Sequence, residues 1–125
     1  MKPSDFFSKE DKDKITRAVK DAELNTSGEV RVHIEGKCMG EVLDRAAYVF
    51  GQLNMHKTEL RNGVLFYLAF ENKKFAILGD AGINSKVPDD FWDEIKDMML
   101  GHFKKDEFAE GLAKGIQLAG KQLKQ

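Results

Sequence analysis

The chain has 125 residues, of which 42% are hydrophobic and 33% charged, and its formal net charge is -1. That length suits one domain whose core needs no disulfide or metal staple, and a composition this apolar excludes a disordered chain. Near-neutral charge excludes general nucleic-acid binding, which needs a basic face; a single cysteine, Cys38, excludes an internal disulfide and a thiolate-rich zinc site.

Met1 to Asp5 runs directly into a charged helical pattern without the apolar core of a signal peptide. No apolar run approaches the roughly 20 residues of a membrane helix. The chain therefore reads as a cytoplasmic monomer with no membrane segment, and the identity of any protein partner is open. Phe6-Phe7 precede Ser8, a natural N-cap for a helix that carries Ile15, Ala18, Val19 and Ala22 at helical spacing. Asn25-Thr26-Ser27-Gly28 ends that helix. Glu29 to Glu35 then alternates strictly, with Val30, Val32 and Ile34 on one side and Glu29, Arg31, His33 and Glu35 on the other, as in a strand with one dry face near a sheet edge.

Gly36 to Gly40 is a short loop, and Glu41 to Leu53 reads as a helix whose inner stripe includes Val42, Ala46, Phe50 and Leu53. Asn54 to Leu60 is polar and irregular. Val64 to Phe70 is an unbroken apolar and aromatic run, the mark of a central strand covered on both faces. Glu71-Asn72-Lys73 turns the chain, and Phe75 to Leu78 must return antiparallel, because so short a connection leaves no room for a crossover. The earlier strand, helix and strand form a βαβ unit with parallel strands. A loop through Asn84 to Val87 leads to Pro88 in the first turn of a helix carrying Phe91, Trp92, Ile95, Met98, Met99 and Phe103, and Lys104-Lys105-Asp106 breaks it. A last helix, from about Glu107 to Leu123, holds Gly111 and Gly115, where a neighbour can approach closely. The expected fold is a three-layer α/β/α sandwich around a small mixed sheet, a single domain over residues 1–125.

This topology brings Ser27-Gly28-Glu29, Arg61-Asn62-Gly63 and Gly79-Asp80-Ala81-Gly82 to one edge of the sheet. Carboxylate, amide and carbonyl oxygens there suit calcium or magnesium, while Arg61 and the glycine amides would suit a phosphate. Turn chemistry alone also explains such a composition, with Glu29 paired to Arg31 or Arg61. Asp80 stands apart, since an acid between glycines at the end of a buried strand needs a donor, a cation or water. His33, His56 and His102 lack metal-ligand spacing, and Cys38, beside Lys37, reads as a surface thiol. Nucleotide-loop and nucleophile-elbow signatures are absent.

The ordered set T-S-G-E-V-R-V (Thr26 to Val32), D-R-A followed by V-F (Asp44 to Phe50), R-N-G-V-L (Arg61 to Leu65), K-F-A-I-L-G-D-A-G-I (Lys74 to Ile83), Phe91-Trp92 and E-G-L-A-K-G-I (Glu110 to Ile116) resembles the TPM domain over nearly the whole chain. The resemblance implies an α/β sandwich, divalent-cation binding with calcium foremost, and, as in plant members, acid phosphatase activity. Carried over by motif, Asn62 and Asp80 become the leading ligands, followed by Glu29 and Asp44, although the topology puts Asp44 at the other edge. Arg61 stands where many members have an acid, which lowers the local negative charge and offers a hold on phosphate. Three functional readings follow: a cation-binding domain, a metal-assisted phosphatase, and a non-catalytic interaction module using an exposed Phe6-Phe7 segment, the methionine-rich helix or the polar face of Glu29 to Glu35.

Overall fold

The computed structural model describes residues 2–26 and 28–123. A short turn of helix, α1 (Pro3–Phe6), leads into α2 (Lys9–Asn25), followed by β1 (Val30–Glu35), α3 (Val42–Gln52), a 3-10 turn at Met55–Lys57, β2 (Val64–Ala69), β3 (Lys74–Gly79), α4 (Ala81–Asn84), α5 (Phe91–Phe103) and α6 (Phe108–Gln122). The strands form one mixed sheet in the order β1-β2-β3. β1 lies parallel to β2, with Val30 opposite Val64, and β3 antiparallel to it, with Val64 opposite Gly79. The expected α/β sandwich is the fold observed.

β2 sits between two helical layers, and all six of its residues are buried. Val64, Phe66 and Leu68 point to one face and join Ile77, Ile95, Met99, Leu112 and Ile116 in the larger core, against α2, α5 and α6. Leu65, Tyr67 and Ala69 point to the other, where Ala46, Val49 and Phe50 of α3 and Met55 cover them. Alternation along an apolar run thus feeds two cores at once. Burying one side chain such as Phe66 or Leu68 contributes about 1.5–3 kcal/mol.

The helices follow their local signals. Ser8 caps α2, its hydroxyl accepting from the Asp11 amide at 3.1 Å. At the close crossing of α5 and α6, a Cβ on Gly115 would lie 2.8 Å from Met99 Cγ, so the glycine lets the methionine pack there. Several expectations need correction. Phe6-Phe7 is not an exposed pair: Phe7 is buried and Phe6 stacks on Phe70 with ring centroids 4.0 Å apart, closing the end of the larger core. The 54–60 segment is not wholly polar, because Met55 plugs the smaller core with no exposure. Asp80 to Asn84 makes a turn of helix rather than a loop, and α5 starts at Phe91, after Pro88. Ser27, in the expected helix-ending turn, lies outside the described residues.

Candidate functional site

The strand registers gather the expected edge. The Val64 amide donates to the Glu29 carbonyl at 2.8 Å, the Asp80 amide to the Gly63 carbonyl at 2.9 Å, and the Gly82 amide to the Arg61 carbonyl at 2.7 Å. Glu29, Arg61, Asn62 and Asp80 therefore sit side by side where β1 and β2 begin and β3 ends. Gly82 is needed for this closure, since a Cβ there would lie 2.6 Å from the Arg61 carbonyl oxygen and run into that of Leu60.

Asp80 is the buried charged residue among the described residues, and its partner is Arg61. Arg61 Nε donates to Oδ2 at 2.7 Å and Nη2 to Oδ1 at 2.8 Å, while the Ala81 amide adds a bond to Oδ1 at 2.8 Å. The guanidinium holds the Asp80 carboxyl below the usual carboxylate range; burial opposes this, and the Ala81 amide assists it. Arg61 reaches this geometry from a left-handed backbone, φ 52°, which a bulky residue adopts only under constraint. Both oxygens of Asp80 are thus engaged, and so are the groups that would cradle a phosphate. Arg61 is committed to Asp80, the Gly82 amide to Arg61, and the Ala81 amide to Asp80.

Two cavities flank this pair. One, about 310 Å³, includes His56, Arg61 and Asp80 in its lining together with Phe50 and Leu78. The other, about 370 Å³, is lined by Glu23, Gly28, Glu29, Thr58, Glu59, Leu60 and Asn62, with no lysine, arginine or histidine among them. Glu23 accepts from the Val30 amide at 3.0 Å, the Thr58 hydroxyl accepts from the Asn62 amide at 3.1 Å, and Glu29 lies 3.4 Å from Arg31. The sequence pointed to Glu29 and Asn62 but not to Glu23, Thr58 or Glu59. Glu23 sits at the end of α2, and Thr58 and Glu59 sit in an irregular segment with no periodicity to place them.

Asp44 does not join this edge. It lies in the first turn of α3, next to Arg45, whose Nε donates to Glu35 at 3.0 Å at the opposite end of β1. That end holds a network the sequence reading missed. Arg45 and the Tyr67 hydroxyl both donate to the Glu35 carboxylate, and His33 Nε2 lies 3.2 Å from it with its ring stacked on Tyr67. The Glu35 carboxyl is lowered to about 2, chiefly by Arg45, against the effect of burial and with help from Tyr67 and His33. Burial and the Glu35 contact push the Tyr67 phenol upward. The only signal for this network was a tyrosine inside an otherwise apolar strand, since a buried phenol needs a partner. Cys38 is 1% exposed and so is not a surface thiol; Asn72 holds its backbone, accepting from the amide and donating to the carbonyl.

The TPM domain family model matches residues 1–122. The chain belongs to the TPM domain family. This TPM domain is similar in structure to the BA42 protein of the psychrophilic bacterium Bizionia argentinensis, solved by NMR, at 48% identity and a TM-score of 0.89, covering 95% of this chain and 82% of that one. It also shares its fold with the N-terminal domain of cg2496 from Corynebacterium glutamicum, at 14% identity, TM-score 0.75 and coverage of 94% and 74%. The N-terminal domain of a P. gingivalis protein aligns at 21% identity, TM-score 0.77 and coverage of 95% and 76%. No curated protein matches the chain. Among the described residues, no helix is long and apolar enough to cross a membrane.

Proposed function

We propose that this TPM domain binds a divalent cation, calcium or magnesium, in the acidic cavity at the loop edge of its sheet. The observation that carries the reading is that Glu23, Glu29, Glu59, Thr58 and Asn62 line one cavity without a basic side chain. Carboxylate, amide, hydroxyl and carbonyl oxygens are the donors that hard cations take, and irregular placement suits calcium's flexible coordination better than magnesium's octahedron. Among the described residues no three acidic, histidine or cysteine side chains converge as a ready cage. The ion would therefore be held by Glu29 and Glu59 with Asn62, backbone carbonyls and water, which places affinity at about 0.1–1 mM. Asp80 becomes a ligand only by exchanging Arg61 for the ion. Phosphate-ester cleavage would require Arg61 to leave Asp80 and a nucleophile to lie in line; cation binding requires neither.

Calcium titration followed through backbone amide NMR tests this directly. Saturable shifts confined to residues 28–30 and 58–63, and lost in a Glu29→Gln/Glu59→Gln variant, are the expected result. Spectra unchanged up to about 10 mM calcium, well past the affinity of weak calcium modules, would overturn it.

A further inference from the structure

Among the described residues, β1 pairs with a strand on one side only, β2. The Glu29 carbonyl accepts from Val64 and the Glu35 carbonyl from Phe70. In a parallel ladder this alternation commits the odd-numbered residues to β2 and turns the backbone N–H and C=O groups of Val30, Val32 and Ile34 outward. The Val30 amide is taken by the Glu23 carboxylate at 3.0 Å. Val32 and Ile34 are left to present their backbone groups to the open side. Their half-buried side chains also line an apolar groove of about 620 Å³ between β1 and α2, walled by Phe7, Ile15 and Val19.

The charge around this groove is lopsided. Lys12 and Lys20 of α2 line it, and neither is engaged in an ion pair among the described residues. The other charged residue of its lining, Glu23, is the one bonded to the Val30 amide. On the polar face of β1, Glu35 is neutralised by Arg45, while Arg31, 3.4 Å from the Glu29 carboxylate in a loose ion pair, keeps half its side chain exposed and within reach of a second acid.

We propose that the open edge of β1 and this groove together take up an extended segment of another protein, alternating apolar and acidic residues, as a fourth strand. Strand addition supplies backbone hydrogen bonds for affinity and alternate side-chain positions for specificity. Apolar side chains of the added strand enter the groove beside Val32 and Ile34. Its acidic side chains, on the other face, become cross-strand neighbours of Arg31, and acids flanking the strand meet Lys12 and Lys20. A second copy of this chain fits less well, because a sheet continued through two β1 strands would bring Lys12 and Lys20 of one α2 towards those of the other.

The test uses the full chain and a blocked peptide of alternating valine and glutamate, about seven residues long to match a strand. The expected result is saturable movement of the Val32 and Ile34 amides and the Ile15 and Val19 methyls. Methylating the peptide nitrogens that face β1 abolishes it. Extending the peptide by two glutamates at each end tightens binding, replacing those flanking glutamates by lysine weakens it roughly tenfold at low salt, and the Lys12→Glu/Lys20→Glu variant, altered only at exposed positions, reverses that preference. No shift at millimolar peptide, shifts elsewhere, or equal binding of the methylated peptide would overturn the proposal. So would shifts of β1 that follow protein concentration without peptide, which would make a second copy the occupant.

Discussion

Asp80 and Glu35 are carboxylates at the two ends of the sheet, each held by an arginine, and their acid responses can be separated. The Asp80 carboxyl is held low first by Arg61 and then by the Ala81 amide. Arg61→Gln therefore raises it towards the ordinary range, read from the side-chain carboxyl carbon shift as pH is varied; an unmoved titration would assign the effect to the amide alone. Glu35 titrates at about 2 rather than 4.5. Its folded value lies below its unfolded one, so its stabilisation is complete above pH 4.5 and fades as pH falls towards 2. Urea unfolding of Glu35→Gln should show a flatter loss of stability through that window than the wild type, and parallel curves would refute the assignment. Tyr67→Phe removes one of the carboxylate's donors from a buried position and should cost about 1–2 kcal/mol. Of these carboxylates, Asp80 was legible from sequence, because glycines and a preceding apolar strand mark an acid that needs a partner. Glu35 was not, because strict alternation put it on a face that reads as solvated. Only the fold carries Arg45 and Tyr67 to it.

Among the elements, β2, α2, α3 and α6 were legible because their apolar spacing exceeds anything a loop produces, and the strand directions followed from connection lengths, while the registers came only with the fold. The short elements escaped: α4 is a single turn capped by Asp80, and Met55 sits in a 3-10 turn whose polar neighbours hide it. Two glycines distinguish closures that the sequence could only mark as permissive. A Cβ at Gly82 meets the backbone carbonyls of Leu60 and Arg61, which cannot move without parting β2 from β3. Gly82→Ala should therefore destabilise by about 2–3 kcal/mol. At Gly115 the obstacle is the Met99 side chain, whose thioether can swing aside, so Gly115→Ala should cost about 1 kcal/mol. Chemical denaturation of both variants decides between backbone and side-chain closure; equal losses would mean that Met99 is as fixed as the strand ends.

At the scale of the whole molecule, a net charge of -1 exerts little long-range pull on a cation. Under the proposed function, a response to calcium would come from the local placement of Glu29 and Glu59 beside Asn62. These residues arrive from the start of β1 and the segment before β2, so an ion seated between them would tie together parts of the chain that separate on unfolding. Binding to the folded state alone stabilises it by mass action: with a dissociation constant near 1 mM, about 10 mM calcium adds about 1.4 kcal/mol. For a domain of this size that raises the thermal midpoint by roughly 3–6 °C. Sodium chloride at matched ionic strength should not reproduce the rise, which separates a seated ion from general screening. Glu59→Gln, at an exposed position, should keep the calcium-free midpoint and lose the increment. An increment unchanged in that variant would move the ion out of the acidic cavity, with exchange of Arg61 for the ion at Asp80 as the remaining way to hold it at this edge.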